Sequence, residues 1–230
     1  VGSEMCIRDR MVACIGLLQL MDEQGVSLDD ELGEVLGYEV RNPHYPEVPV
    51  TLRQLMTHTA SLQDSSDYDR ALEGEGLPLE TLFAQEGRRV FLQARPGSRR
   101  LYSNFGGGLI GSLIEALSGR MLDEYMTEKV FEPLGITAAY QPSRLAPDVP
   151  VADLYLMPRR WLAKRVREDS PALQDYCFTA GKLVISAPDL CKILIALCDG
   201  GVCGDTRILK ESQTRELSLI HISEPTRLGM

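Results

Sequence analysis

Apolar side chains recur every three or four residues along most of the chain, which is the spacing of one helical face. Residues 105–118 have the clearest stripe, with Leu109 and Leu113 one turn apart and Gly119 at the expected end. Residues 11–24 are apolar around most of the circumference, which predicts a buried helix. The other predicted helices are 26–36, 52–58, 79–89, 121–134, 187–197 and 208–217.

Caps and breaks between these segments support the predicted helices. Thr51 and Ser186 each precede a helical pattern, and Asp189 follows Ser186 at nearly the spacing of a capping box. The proline-rich stretch 42–49 predicts an extended loop. Strand patterns are few, so the sequence predicts many helices and little sheet.

Composition limits the class of protein without assigning a function. Of the 230 residues, 44% are hydrophobic and 25% are charged, which is typical of one globular domain. The net charge of −9 disfavours binding to a phosphate backbone, and the basic cluster at 159–167 is interpreted as a solvated face because acids follow it. No apolar run reaches the ~18 residues of a membrane span. We therefore expect no nucleic-acid partner and no transmembrane segment in this chain.

The six cysteines include neither a Cys-x-x-Cys pair nor a set with histidine at zinc spacing. Cys191 and Cys198 lie seven residues apart on a predicted helix, so we expect them to share a face as core thiols. Cys198 and Cys203 flank a Gly-Gly turn and are candidates for a small disulfide. We predict no metal site and no cofactor.

The two ends of the chain lack a periodic pattern that continues into the neighbouring helix. They read VGSEMCIRDR at the start and LSLIHISEPTRLGM at the end. Both resemble peptides produced when sequencing-adapter DNA is translated at the ends of an assembled fragment, so they are set aside before the fold is interpreted. The expected organisation is a foreign segment at 1–10, an incomplete domain at 11–217 and a second foreign segment at 218–230. Ordinary disordered tails are the alternative.

Three ordered segments stand out by their residue order: VTLRQLMTHTASL at 50–62, PGSRRLYSN at 96–104 and AGKLVISAPDL at 180–190. In the same order they resemble the H-T-S-G-L, P-G-x-x-x-x-Y-S-N and A-G-G-L-x-S-T-A-x-D-L segments of the β-lactamase-related serine hydrolases. This family includes class C β-lactamases and penicillin-binding proteins. The departures are Ala60-Ser61 in place of Ser-Gly, together with Lys182 and Pro188. The resemblance covers about residues 11–217.

The resemblance implies an α+β fold, in which an antiparallel sheet is flanked by helices and joined to a helical subdomain. Most of that sheet is expected to be missing here, which leaves a mainly α-helical chain. The implied chemistry is acyl transfer: a serine in S-x-x-K is acylated while a lysine and a tyrosine hold its proton. Tyr102 matches that tyrosine. Asn104 matches the asparagine that binds the substrate amide and orients the lysine, and Ser103 lies between them.

The nucleophile motif itself is absent from the sequence. No serine is followed by lysine three positions later, and no K-x-G or H-x-G triplet follows Tyr102. By the order of the family's segments, the missing lysine belongs at about Arg10 and the missing serine at about Ile7. Isoleucine offers no nucleophilic oxygen, and arginine keeps its proton near neutral pH. We therefore expect the chain to be inactive.

Three functions stay open on the sequence alone. The first is part of a serine hydrolase that forms an acyl-enzyme with amide, β-lactam or ester substrates, so its partner is a small-molecule or peptide acyl substrate. The second is a non-catalytic relative used for binding or sensing, and the third is an unrelated helical interaction protein. Relatives commonly act outside the cytoplasm, but the sequence assigns no compartment to this chain.

The resemblance leads to two expectations about the structure. Tyr102 and Asn104 should lie near the N-terminal end of helix 11–24, because all three contribute to one site. The apolar faces of helices 11–21 and 190–197 should meet water, because the sheet against which they would pack is expected to be missing.

Overall fold

The computed structural model describes residues 3–72, 74–152, 154–156, 163–165 and 175–222, and the side chains of 8–72, 74–152 and 175–220. In chain order, the α-helices of this part are α1 (Ser3–Gln24), α2 (Leu32–Leu36), α3 (Leu52–Met56), α4 (Ser66–Leu72), α5 (Leu79–Val90), α6 (Asn104–Ser118), α7 (Leu122–Met126), α8 (Ala187–Cys198) and α9 (Glu211–Ile222). A π-helical turn at Thr127–Phe131 follows α7, and short 3-10 turns lie at Glu132–Leu134 and Pro142–Arg144.

The strands are very short and pair only in twos within the described residues. They are β1 (Ala138–Ala139), β2 (Leu154–Leu156), β3 (Ala163–Arg165), β4 (Val184–Ile185), β5 (Val202–Cys203) and β6 (Thr206–Arg207). The pairs β1–β4, β2–β3 and β5–β6 are all antiparallel, and Ala138 lies opposite Ile185 in the first of them. The mainly helical fold with little sheet is therefore confirmed.

Helix α1 is the buried centre of the helical body. Its Val12, Ile15 and Leu17 side chains are fully shielded from solvent, and the helix packs mainly against α6. Helix α9 covers another side, where the Gln213 side chain donates a hydrogen bond to the Leu18 carbonyl at 2.7 Å. The expectation that this helix exposes an apolar face is wrong, because neighbouring helices enclose it without a sheet.

Helix α1 also begins earlier than its periodicity predicted, at Ser3 rather than at Met11. The Asp9 carboxylate is fully buried and accepts hydrogen bonds from Arg8 and from the backbone N–H of Leu183. Arg8 in turn donates to the Leu183 carbonyl at 2.9 Å. These polar residues fit inside the body because each has a partner there, a condition that hydrophobic spacing does not report. The assignment of both ends as foreign segments stays a prediction.

Glycines in the first turns of α6 let another segment approach its backbone closely. A Cβ on Gly108 would lie 1.6 Å from the carbonyl oxygen of Tyr176. Beside it, the Thr179 hydroxyl donates to the Gly107 carbonyl at 2.7 Å and accepts from the Gly111 N–H at 3.3 Å. The loop that precedes the AGKLVISAPDL segment is therefore attached directly to α6.

Helix α8 has one buried side and one exposed side. Ser186 caps its start and accepts a hydrogen bond from the Asp189 N–H at 3.2 Å, as predicted. Ile193 is buried, whereas Leu194 and Ile195 are 41% and 53% exposed. Leu190 and Leu197 pack in part against the core, so the expectation that the apolar face of this helix meets water is confirmed for Leu194 and is wrong for the rest of the predicted face.

The cysteines of α8 lie on its outward side. Cys191 and Cys198 are both exposed, so the prediction that they are core thiols is wrong. They do share a face, but Ile193 and Ala196 occupy the inward side of the helix. Cys198 and Cys203 are free thiols, so the candidate disulfide is not formed.

Neither a membrane span nor a metal cluster is found in the described part of the chain. None of its helices combines the length and the apolar character needed to cross a bilayer. None of its groups of histidine, cysteine, aspartate and glutamate has the geometry of a metal site.

The contact between α6 and the Tyr176 loop generates a stability prediction. We expect Gly108→Ala to lower the free energy of unfolding by at least ~2 kcal/mol, because the new methyl group overlaps the Tyr176 carbonyl. Gly107→Ala is the matched control, since its Cβ would meet nothing closer than the Arg10 side chain at 3.7 Å. The control should leave stability unchanged or raise it by up to ~1 kcal/mol through helix propensity. Urea denaturation followed by circular dichroism measures both, and equal effects would contradict the close approach.

Candidate active site

The segment that contains Tyr102 runs alongside the segment that contains His58. The Leu101 N–H donates a hydrogen bond to the His58 carbonyl at 2.7 Å, and the Gly97 N–H donates to the Thr59 carbonyl at 2.8 Å. Two motifs that are about forty residues apart in the sequence are thereby joined through their backbones. This pairing sets the position of Tyr102 at the entrance to α6.

Ser103 is the N-cap of α6. Its backbone is extended, and its hydroxyl oxygen accepts a hydrogen bond from the Gly106 N–H at 3.1 Å. The same hydroxyl donates to an Asp64 carboxylate oxygen at 2.9 Å. Ser103 is buried and thus fixes the start of the helix, while a catalytic part for it stays a prediction.

The Asp64 carboxylate accepts hydrogen bonds from several residues at the start of α6. Besides the Ser103 hydroxyl, it accepts hydrogen bonds from the Asn104 side-chain amide at 2.8 Å and from the Phe105 N–H at 2.9 Å. Asp64 was not among the predicted site residues, because it lies in a polar stretch that has no distinctive motif. A carboxylate here also suits the positive end of the helix dipole.

Tyr102 and Asn104 form a hydrogen-bonded pair at the surface. The Tyr102 hydroxyl donates to the Asn104 carbonyl oxygen at 3.1 Å, and Tyr102 is 39% exposed. Because the Asn104 amide nitrogen donates to Asp64, its oxygen is the atom left for the phenol. The pair therefore presents a phenolic oxygen and an amide in a fixed relative orientation.

Two further side chains pack against the Tyr102 ring. The guanidinium carbon of Arg10 lies 5.4 Å from the ring centroid, and the His58 ring lies 4.7 Å away at a tilt of 38°. The expected proximity of Tyr102 to the start of helix 11–24 is therefore confirmed. The sequence pattern does not predict the contact of His58 with Tyr102. Ile7, expected at the nucleophile position, has a side chain outside the described residues.

Arg10 brings a permanent positive charge to this site. Its side chain is 3% exposed, and its Nε atom has no hydrogen-bond partner within the described residues. A cation against a tyrosine ring typically gains ~0.5–2 kcal/mol, the upper value applying where water is excluded. One turn further along α1, burial raises the pKa of the Cys14 thiol to about 12, and Arg10 opposes this shift only in part. Cys14 is therefore a neutral thiol at pH 7 and not a nucleophilic thiolate.

The structure shows the conformational cost of one departure from the family's motif. Ser61 has a φ of +59°, in the left-handed region where glycine is unstrained. This is the position of glycine in the H-T-S-G-L segment, and serine there carries a conformational cost. Its carbonyl nevertheless accepts a hydrogen bond from the Leu92 N–H at 2.8 Å, so the turn keeps its shape.

Residues 10–227 match the protein family described as Beta-lactamase. The chain belongs to this family. It is 30% identical over 133 residues to the Escherichia coli K12 D-alanyl-D-alanine-carboxypeptidase/endopeptidase AmpH, an alignment that covers 55% of this chain and 34% of that relative. It is 29% identical over 135 residues to penicillin-binding protein 4* of Bacillus subtilis, covering 54% of this chain and 29% of that relative. The β-lactamase-family chain thus aligns with about a third of each of these relatives.

Solved structures support the same family assignment. An octameric penicillin-binding protein homologue from Pyrococcus abyssi superposes with a TM-score of 0.68 at 25% identity, covering 94% of this chain and 47% of that one. A D-stereospecific amidohydrolase from Streptomyces sp. has the same fold, with a TM-score of 0.67 at 21% identity over 94% of this chain and 63% of that one. The chain is therefore related to penicillin-binding proteins and is not an unrelated helical protein. The fold of this β-lactamase-family chain is that of the transpeptidase-like serine hydrolases.

The three hydrogen bonds to Asp64 generate a second stability prediction. We expect Asp64→Ala to lower the free energy of unfolding by ~1–3 kcal/mol, because Ser103, Asn104 and the first turn of α6 lose a charged acceptor. Glu75→Ala removes an exposed carboxylate elsewhere and should change stability by less than ~0.5 kcal/mol. Urea denaturation compares the two variants. Equal stability of both would show that Asp64 does not hold the site together.

Proposed function

We propose that this chain is part of an acyl-transferring serine hydrolase for amide, β-lactam or ester substrates, and that the chain itself forms no acyl-enzyme. The observation that carries the proposal is the Tyr102–Asn104 pair with the cation of Arg10 against the Tyr102 ring. A phenol exchanges its proton at neutral pH only where nearby positive charge favours the phenolate. Tyr102 has such a charge beside it, as the proposed proton transfer requires.

The proposed inactivity follows from the residue types at two positions of α1. Ile7 has no oxygen to acylate. Arg10 supplies positive charge but does not accept a proton near neutral pH, whereas lysine in this position performs both tasks. A hydrolase with arginine here keeps the positive charge beside the tyrosine and loses the group that accepts the proton of the nucleophile. The proposed catalytic set of Tyr102, Ser103 and Asn104 therefore lacks the groups on which it would act.

The names of the relatives support an amide substrate for the proposed parent enzyme. They include a D-alanyl-D-alanine carboxypeptidase and a D-stereospecific amidohydrolase. Because the alignment covers about a third of the first of these, the substrate of the whole protein is part of the proposal. The proposed reaction uses side chains and backbone N–H groups alone, so it requires no cofactor.

Acylation by a fluorescent penicillin tests this proposal. The unmodified chain should show no label that survives denaturation. The double variant Ile7→Ser/Arg10→Lys should be labelled slowly, because each missing oxyanion donor typically costs ~10²–10³ in rate and no K-x-G or H-x-G triplet is present to supply that strand. Adding Tyr102→Phe should reduce the labelling rate by a further ~10²-fold or more. Gel fluorescence and intact-mass measurement report the outcome.

Two controls make the acylation result interpretable. Arg10→Lys alone should not be labelled, because it restores the base without the nucleophile. Circular dichroism of each variant shows whether the fold is kept. Stoichiometric labelling of the unmodified chain would contradict the proposed inactivity. A folded double variant whose labelling is unaffected by Tyr102→Phe would contradict the part proposed for Tyr102.

Arg10 also favours a second candidate function, the non-catalytic binding of a carboxylate. A buried guanidinium whose Nε has no hydrogen-bond partner in the described part of the chain is costly to fold. A carboxylate relieves this cost by accepting two parallel hydrogen bonds from one guanidinium. The exposed Tyr102 and Asn104 pair beside it offers further polar contacts to a peptide. On this alternative the chain is a binding or sensing relative of the family.

Calorimetric titration with a peptide ending in D-alanyl-D-alanine tests the binding alternative. A peptide with a free carboxylate should bind at least ~10-fold more tightly than its amidated form, because only the free form pairs with Arg10. Arg10→Met should remove this difference. Arg144→Met, which changes an exposed arginine elsewhere, should preserve it. Equal affinities of the two peptides for the unmodified chain would exclude this function.

A further inference from the structure

The outward side of α8 carries an apolar stripe that no described segment covers. Leu194 and Ile195 are 41% and 53% exposed at its centre, and the exposed thiols of Cys191 and Cys198 flank them. The four positions follow helical spacing and fall on one face, opposite the buried Ile193. Single exposed apolar residues are ordinary, but a contiguous stripe of them marks an interaction surface.

The stripe is symmetric about its own midpoint. Cys191 and Cys198 lie equally far from the point between Leu194 and Ile195. When two such helices cross antiparallel about a two-fold axis at this point, Leu194 meets Ile195 of the second copy and Cys191 meets Cys198 of the second copy. An isologous interface requires this reciprocity: if residue i of one copy contacts residue j of the other, then residue j of the first copy contacts residue i of the second.

Charge complementarity favours the same antiparallel arrangement. Lys192 and Asp199 lie seven residues apart, so they share one flank of the stripe. In the antiparallel pair, Lys192 of one copy lies within about one turn of Asp199 of the other, and the contact occurs twice. In a parallel pair, the flank with Lys192 and Asp199 would lie across from the opposite flank of the second copy, so this contact would not form. Within one copy Lys192 bonds to Asp189 and to the Gly135 carbonyl, and its ammonium group has three donors in all.

We propose that the outward face of α8 is a self-association surface, which binds the α8 of a second copy of this chain antiparallel through Leu194 and Ile195. The pairing brings Cys191 of each copy next to Cys198 of the other. The surface lies on a different element from Tyr102 and Asn104, so the proposal is independent of the acyl chemistry.

Disulfide trapping tests the direction of the pairing. Cys6 and Cys203 are changed to serine throughout, and Cys191→Ser and Cys198→Ser are then made separately. Under mild oxidation a mixture of the two single variants should form a covalent dimer, while each variant alone should not. Within one helix the two thiols cannot join, because seven residues separate their Cα atoms by ~10.5 Å. Dimers from each variant alone, with none that link the two variants, would show parallel pairing and overturn the proposal.

Sedimentation velocity tests whether the face associates without a covalent link. Under reducing conditions the chain should show a concentration-dependent dimer. Leu194→Lys and Ile195→Lys should each weaken dimerisation by more than ~10-fold. Leu72→Lys, at an exposed leucine on α4, should leave it unchanged. Lys192→Glu should weaken the dimer and Lys192→Glu/Asp199→Lys should restore it. A monomer at all concentrations, or a dimer insensitive to Leu194 and Ile195, would overturn the proposal and assign the stripe to a different partner.

Discussion

The rest of the structure depends on the glycines in the first turns of α6, which leave one side of the helix backbone uncovered. Gly107 lets the Arg10 side chain pass at van der Waals distance, and Gly108 touches the backbone of Tyr176. Gly111 receives Thr179 in the same way. Two segments that are remote in sequence thus meet one helix backbone, and a side chain at Gly108 would overlap the Tyr176 carbonyl and push that loop away. The candidate site lies where Arg10 of α1 meets the start of α6 and the Tyr102 ring.

The electrostatics of the site follow from that close approach. Arg10 lies on the buried helix α1 and contacts the Tyr102 ring. Asp64, from a loop about forty residues before Asn104, holds the start of α6 through hydrogen bonds. The positive charge beside a phenol is what the proposed acyl transfer requires of Tyr102, and the proposed nucleophile position holds Ile7. The position of Asn104 therefore does not depend on a nucleophile, because its hydrogen bonds do not involve Ile7.

The helical body encloses its own core without a large sheet in the part of the chain described. Helix α1, which has apolar residues on most sides, is buried mainly by α6 and α7, and α9 donates a hydrogen bond to it through Gln213. Helix α8 differs because Ile193 and Ala196 are buried and Leu190 and Leu197 pack in part against the body, whereas Leu194 and Ile195 remain at the surface. An apolar pattern therefore indicates that a residue is suited to burial. It does not indicate which neighbour buries it, and in the proposed dimer that neighbour is a second copy of the chain.

The sequence by itself determined the main helices and their caps at Thr51 and Ser186, and it proposed Tyr102 and Asn104 as site residues, because spacing and local motifs are properties of neighbouring residues. It did not reveal Asp64, His58 or the buried pairing of Asp9, and it assigned Cys191 and Cys198 to the core. Those features depend on contacts between segments that are far apart in the chain. Only the tertiary structure decides them, because a buried polar group is stable only when its partner arrives from elsewhere in the fold.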